Sequence, residues 1–176
     1  MTILPFKSRE LLTVSEALDI AEDKTCDFYK FSADQWRRHP YDIRTISDLK
    51  PNQVVPDAFA LLHKCPKVLK GLEPRKNSRD FYFICLQDHL ILKALARDSN
   101  LGLLPLLVYI FTHELVHIVR FSNFFQRFDI SGKGREREER VVHNTTHEIL
   151  KDLPMPRLDY VLESYGDHRV CDRGDS

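Results

Sequence analysis

From residue 101 to residue 120 the chain reads Leu-Gly-Leu-Leu-Pro-Leu-Leu-Val-Tyr-Ile-Phe-Thr-His-Glu-Leu-Val-His-Ile-Val-Arg, apolar on nearly every side. A helix with that pattern has no solvent face and is expected to be buried. Ahead of it, residues 12–38 read as helical. Ser15 is the expected N-cap before an acidic first turn, and a second helical stretch over 26–38 stops ahead of His39-Pro40. Phe28, Phe31 and Trp36 are assigned there to the core. Residues 47–56 are turn-rich, and Pro56 predicts a short helix over Asp57–Lys64. A basic loop at 74–79 leads into Asp80–Gln87, whose β-branched and aromatic run predicts a strand. Over 88–97 periodicity does not decide between strand and helix.

Beyond the buried helix, Phe121, Phe124, Phe125 and Phe128 form an aromatic segment expected to pack beneath it. Gly132 and Gly134 are expected to break the chain. The mixed charges of 133–140 then open an amphipathic helix over 136–153, with Val142, Thr145 or Thr146, Ile149 and Leu153 as its buried stripe. The sum is an α+β fold in one domain, 1–163, with a mostly helical part at 1–79, a core at 80–155 and a polar tail at 164–176. The closing Arg-Gly-Asp-Ser reads as coincidence.

Composition narrows the partners. Lys plus Arg and Asp plus Glu both number 26, which gives no case for nucleic acid or for a membrane surface. Cys26, Cys65, Cys85 and Cys171 are scattered without metal-ribbon spacing, and the N-terminus lacks an apolar signal segment, so free thiols and a cytoplasmic location are expected. Residues 101–119 are long enough to span a bilayer, but no second stretch approaches them, and a buried helix is the expected role.

Inside that helix stand His113, Glu114 and His117. Ionisable groups there are costly unless paired or metal-bound. Residues four apart share a helix face, with Cβ atoms roughly 5–6 Å apart, so both imidazoles can reach one ion. Glu114 lies off that face, placed to serve as a base toward water. This is the H-E-x-x-H pattern of zinc hydrolases, with two histidine ligands and a glutamate base. The plain alternative is a pair of core histidines satisfied by hydrogen bonds.

A catalytic zinc takes three protein ligands and keeps one open position. The extended motif that supplies a third histidine is absent, because Arg120 and Asn123 occupy its glycine and histidine positions. The later helix offers Glu136, Glu138 and Glu139. Glu139 lies three before Val142 and seven before Thr146, on the stripe, and shares a face with His143; Glu138 comes next. The competing reading makes all three solvent-facing carboxylates.

The order His113, Glu114, His117 and then Glu139 on a second helix resembles the gluzincins, the thermolysin-like zinc metallopeptidases. It also loosely resembles compact repressor-cleaving peptidases. The resemblance covers about 81–155. It implies a zincin-like core, a small sheet packed on the motif helix and a Glu-bearing helix, with Zn2+ held by His113, His117 and Glu139 and Glu114 as base. A peptide or protein would be the substrate, and the strand at 80–87 could receive it along an edge. The family's Asn-Glu-Ala ahead of the second helix is missing. His143 stands where an acid is usual, either orienting a ligand or binding the ion itself. His147 reads as surface, the pair His63 and Cys65 as structural or exposed. Tyr160, Tyr165, His168 and His143 are the candidates for stabilising an oxyanion. A non-catalytic zinc-binding module with the same core is the rival reading.

Overall fold

The apolar run folds as expected into α4 (Leu103–Ser122), and every residue from Pro105 to Val119 is buried. By length and composition α4 could cross a membrane, yet 83% of its most apolar window is buried within the protein itself. What buries it is the rest of the chain. The computed structural model describes residues 3–37, 40–65, 80–123 and 128–165, and the backbone of 171–173.

Among the described residues, six helices and a small mixed sheet make an α+β fold around one buried core. Helix α1 (Ser8–Tyr29), α5 (Gly132–Leu150) and α6 (Leu158–Tyr165) all pack on α4. The sheet has the order β1-β3-β2-β4, built from β1 (Tyr41–Arg44), β2 (Ala60–Cys65), β3 (Phe81–Leu86) and β4 (Cys171–Arg173). Strand β3 is parallel to β1 and antiparallel to β2, and β4 runs parallel to β2. Helix α2 (Ala33–Trp36) is a single turn, and α3 (Asp88–Arg97) follows β3 directly.

Several expectations are corrected. Helix α1 starts seven residues before Ser15, because the Glu10 carboxylate accepts the Lys7 backbone N–H at 2.7 Å and closes the first turn there. Ser15 is an exposed interior position. No long helix covers 26–38: Lys30 takes a left-handed conformation, φ +57°, that ends α1. Ser32 then caps α2 through the Gln35 N–H. Phe28 is 46% exposed, not core, while Phe31 and Trp36 are half-buried. The helix expected at 57–64 is strand β2, whose Ala60, Leu61 and Leu62 are buried by pairing on both sides.

The strand at 80–87 is present as β3, but it is interior, so it has no free edge for a peptide. The undecided 88–97 is helical. Helix α5 begins at Gly132 and stops at Leu150, leaving Leu153 in the turn beyond; its buried stripe is Glu138, Val142, Thr146 and Leu150. Gly132 does adopt a left-handed φ of +59°, whereas Gly134 lies within the first turn, where a Cβ would stand 2.6 Å from the Ile130 side chain. Residues 171–173 form β4 rather than a loose tail; 166–170 and 174–176 lie outside the described residues, as do His168, Phe124 and Phe125. Cys26, Cys65 and Cys85 are free thiols.

Candidate metal centre

Two turns near the middle of α4 carry His113 and His117, both without exposed surface. Their Nε2 atoms face each other at 3.2 Å. Helix α5 runs back along α4 and brings Glu139 against them. One carboxylate oxygen lies 3.3 Å from His113 Nε2, and the other lies 3.2 Å from His117 Nε2. Of the two neighbouring carboxylates, Glu139 is therefore the one that reaches the histidines. The stripe that suggested it in fact buries Glu138; Glu139 sits one position round, on the flank turned to α4.

Glu138 has a different partner. Arg120, one turn beyond His117, donates from Nε to one Glu138 oxygen at 2.7 Å and from its terminal nitrogen to the other at 2.9 Å. This planar fork fixes angle as well as distance. With Glu138 only 1% exposed, the pair locks the register of α5 on α4 immediately beside Glu139. The aromatic segment does support the site: Phe121 stacks on the His117 ring at 5.5 Å, and Phe128 packs edge-on against Phe121 at 5.4 Å.

Four ligand atoms converge here: the two Nε2 atoms are 3.2 Å apart, and each faces its own Glu139 oxygen, at 3.3 Å for His113 and 3.2 Å for His117. A tetrahedron of donors at the usual zinc distances of 2.0–2.1 Å has edges of about 3.3–3.4 Å. Two imidazoles and a carboxylate are also donors that zinc accepts. The residues thus fit such an ion in both spacing and chemistry. Electrostatics agree. Burial alone would raise the Glu139 carboxyl, but the facing His117 and hydrogen bonds from both histidines outweigh it and hold the group well below the usual carboxylate range.

Glu114 is wholly buried and projects about 100° round α4 from His113, by helix geometry. There its charge reaches β3: burial pushes the Cys85 thiol up to about 12, and Glu114 adds to that push. His143, one turn along α5 from Glu139, lies with its ring centroid 4.7 Å from that of His113. Its Nδ1 is 2.9 Å from the Tyr109 hydroxyl, and that hydroxyl donates to the Tyr165 carbonyl at 3.1 Å.

Tyr109 and Arg120 had not been singled out as parts of the site. The one available hint was that Tyr109 is four before His113 and so shares its face. Other candidates lie elsewhere. Tyr160 donates to Asp98 at 2.6 Å at the foot of α3, and the Tyr165 ring packs on Phe59 at 5.5 Å. Glu136 and His147 are exposed, and His63 and Cys65 sit half-buried on β2. Comparison of the chain with protein-family models, with curated proteins and with solved structures returned no match.

Proposed function

We propose that the chain is a small zinc-dependent metallopeptidase of zincin-like design, with His113, His117 and Glu139 as ligands and Glu114 as general base. The single observation that supports it is the convergence of two Nε2 atoms, 3.2 Å apart, with the two Glu139 oxygens 3.2–3.3 Å from them, set beside a buried glutamate adjacent in sequence to the first histidine. When bound, zinc supplies Lewis acidity, making water a nucleophile at neutral pH and polarising a carbonyl. Glu114 then has the role of accepting the proton from water and handing it to the leaving amine. Arg120 and Glu138 keep Glu139 in place, and Phe121 keeps the His117 ring in place.

Digestion of a broad peptide library by the zinc-loaded protein tests this reading. Cleavage is expected, and Glu114→Gln should remove it while zinc content and folding stay near wild type, because a base does not hold the ion. A zinc-loaded wild type that cleaves nothing turns the choice to the second reading, a zinc-binding module without hydrolysis. That reading has its own observation: His113, His117 and Glu114 have no exposed surface, and the Glu139 side chain is only 19% exposed.

A further inference from the structure

We propose that His143 is a fourth protein ligand to the ion of this centre, with Tyr109 fixing the tautomer that allows it; the inference rests on the metal-binding reading above. Placement comes first. Glu139 and His143 are one turn apart on α5, as His113 and His117 are on α4, so each helix offers a pair of donors to the same interface. The His143 ring stands as near His113 as His117 does, with centroids 4.7 and 4.8 Å away. Ligand atoms of His113, Glu139 and His143 all lie within 4.8 Å of one another.

Hydrogen bonding then decides which nitrogen is available. The Tyr165 carbonyl can only accept, so the single hydroxyl proton of Tyr109 goes to it, at 3.1 Å. The same hydroxyl oxygen, 2.9 Å from His143 Nδ1, is left to accept, and Nδ1 must carry the proton. A neutral imidazole protonated at Nδ1 has its lone pair on Nε2. That is the tautomer a metal ligand needs, and a hydrogen bond from the far nitrogen is how such ligands are oriented. Tyr109 is thus a positioning residue. It sits one turn before His113 on α4, so one face of that helix supplies two ligands and the group that orients a third.

The consequence bears on function. Four protein donors describe a closed zinc site and three an open one. His143 is half-buried where the other two histidines are fully enclosed, so it is the histidine that can be given up. Hydrolysis at this centre then requires that His143 be released or that the ion accept a fifth donor.

Zinc competition against a chromophoric chelator, with Co2+ absorption spectra of the same proteins, tests the inference. His143→Ala should weaken zinc binding on the order of 100-fold and alter the Co2+ bands, and Tyr109→Phe should weaken it about 10-fold, as loss of an orienting hydrogen bond does. Should His143→Ala not fold, His143→Gln, which retains a partner for Tyr109, takes its place with the same expected loss. Wild-type affinity and an unchanged Co2+ spectrum in the His143 variant overturn the inference while leaving the three-ligand site standing. A wild type that takes up neither zinc nor Co2+ overturns both.

Discussion

Two of the polar clusters buried among the described residues are satisfied in opposite ways. At the head of α3, the Gln87 amide accepts the Val55 N–H at 3.0 Å and donates to the carbonyls of Gln53 and Cys85 at 2.9 and 3.2 Å. Beside it the Asp88 carboxylate accepts the backbone N–H groups of Phe6 and Ile46 at 2.9 and 3.1 Å. Donor meets acceptor throughout, and the cluster ties the N-terminus and the 46–55 segment to the sheet. Between α4 and α5 the pattern differs. Two imidazole nitrogens and two carboxylate oxygens converge on one point, all of them groups that offer lone pairs when neutral or ionised in the ordinary way. The first cluster is complete without any further atom; the second, on the proposed reading, is completed by a cation. Burial of polar groups by itself marks neither structure nor function. The match between donors and acceptors does.

The largest effect is expected where the two kinds of cluster meet. Arg120→Ala leaves the Glu138 carboxylate buried and unpaired, at a cost of about 3–5 kcal/mol in chemical denaturation. Because Arg120 is partly exposed, the lower end of that range is expected. An unperturbed denaturation midpoint would mean that the fork does not clamp α5. Next comes Asp88→Ala, which strands two backbone donors and should cost about 2–3 kcal/mol while leaving zinc binding unchanged. Altered zinc affinity in that variant would break the contrast between the clusters.

Asp88 also carries a pH signature. Burial raises its carboxyl above the ordinary value, although the N–H groups of Phe6 and Ile46 pull the other way. The folded protein then binds that proton more tightly than the unfolded chain does. Its stabilising contribution is present below about pH 4, the unfolded value, and declines as pH climbs through the raised one. The stability gap between wild type and Asp88→Ala should accordingly narrow with rising pH; a gap that widens contradicts the assignment. The smallest contrast separates neighbours. Glu139→Ala should lower zinc affinity with little loss of stability, whereas Glu138→Ala, which strands Arg120, should cost more stability and lower zinc affinity less than Glu139→Ala does.

Much of this was legible in the sequence, and what was not has physical reasons. The burial of α4 follows from its uniform apolarity, and the His113–His117 pairing from helix geometry alone. Glu139 was reached through its relation to Val142 and Thr146, although the residue those two bury is Glu138. Strand β2 was missed because Ala60-Leu-Leu is a short apolar run that suits either helix or strand, and only its pairing with β3 decides. The interior place of β3 is likewise a property of sheet order, which no local pattern carries. Arg120 and Tyr109 were missed for the same reason: their partners lie 18, 34 and 56 residues away, at Glu138, His143 and Tyr165.

The role of the α4–α5 centre turns on whether it holds an ion, and zinc content after purification and dialysis from excess zinc measures that directly. About one zinc per chain is expected in the wild type, and none in the His113→Ala, His117→Ala double variant folded to the same extent. A zinc-free wild type, or full zinc in the double variant, would contradict it.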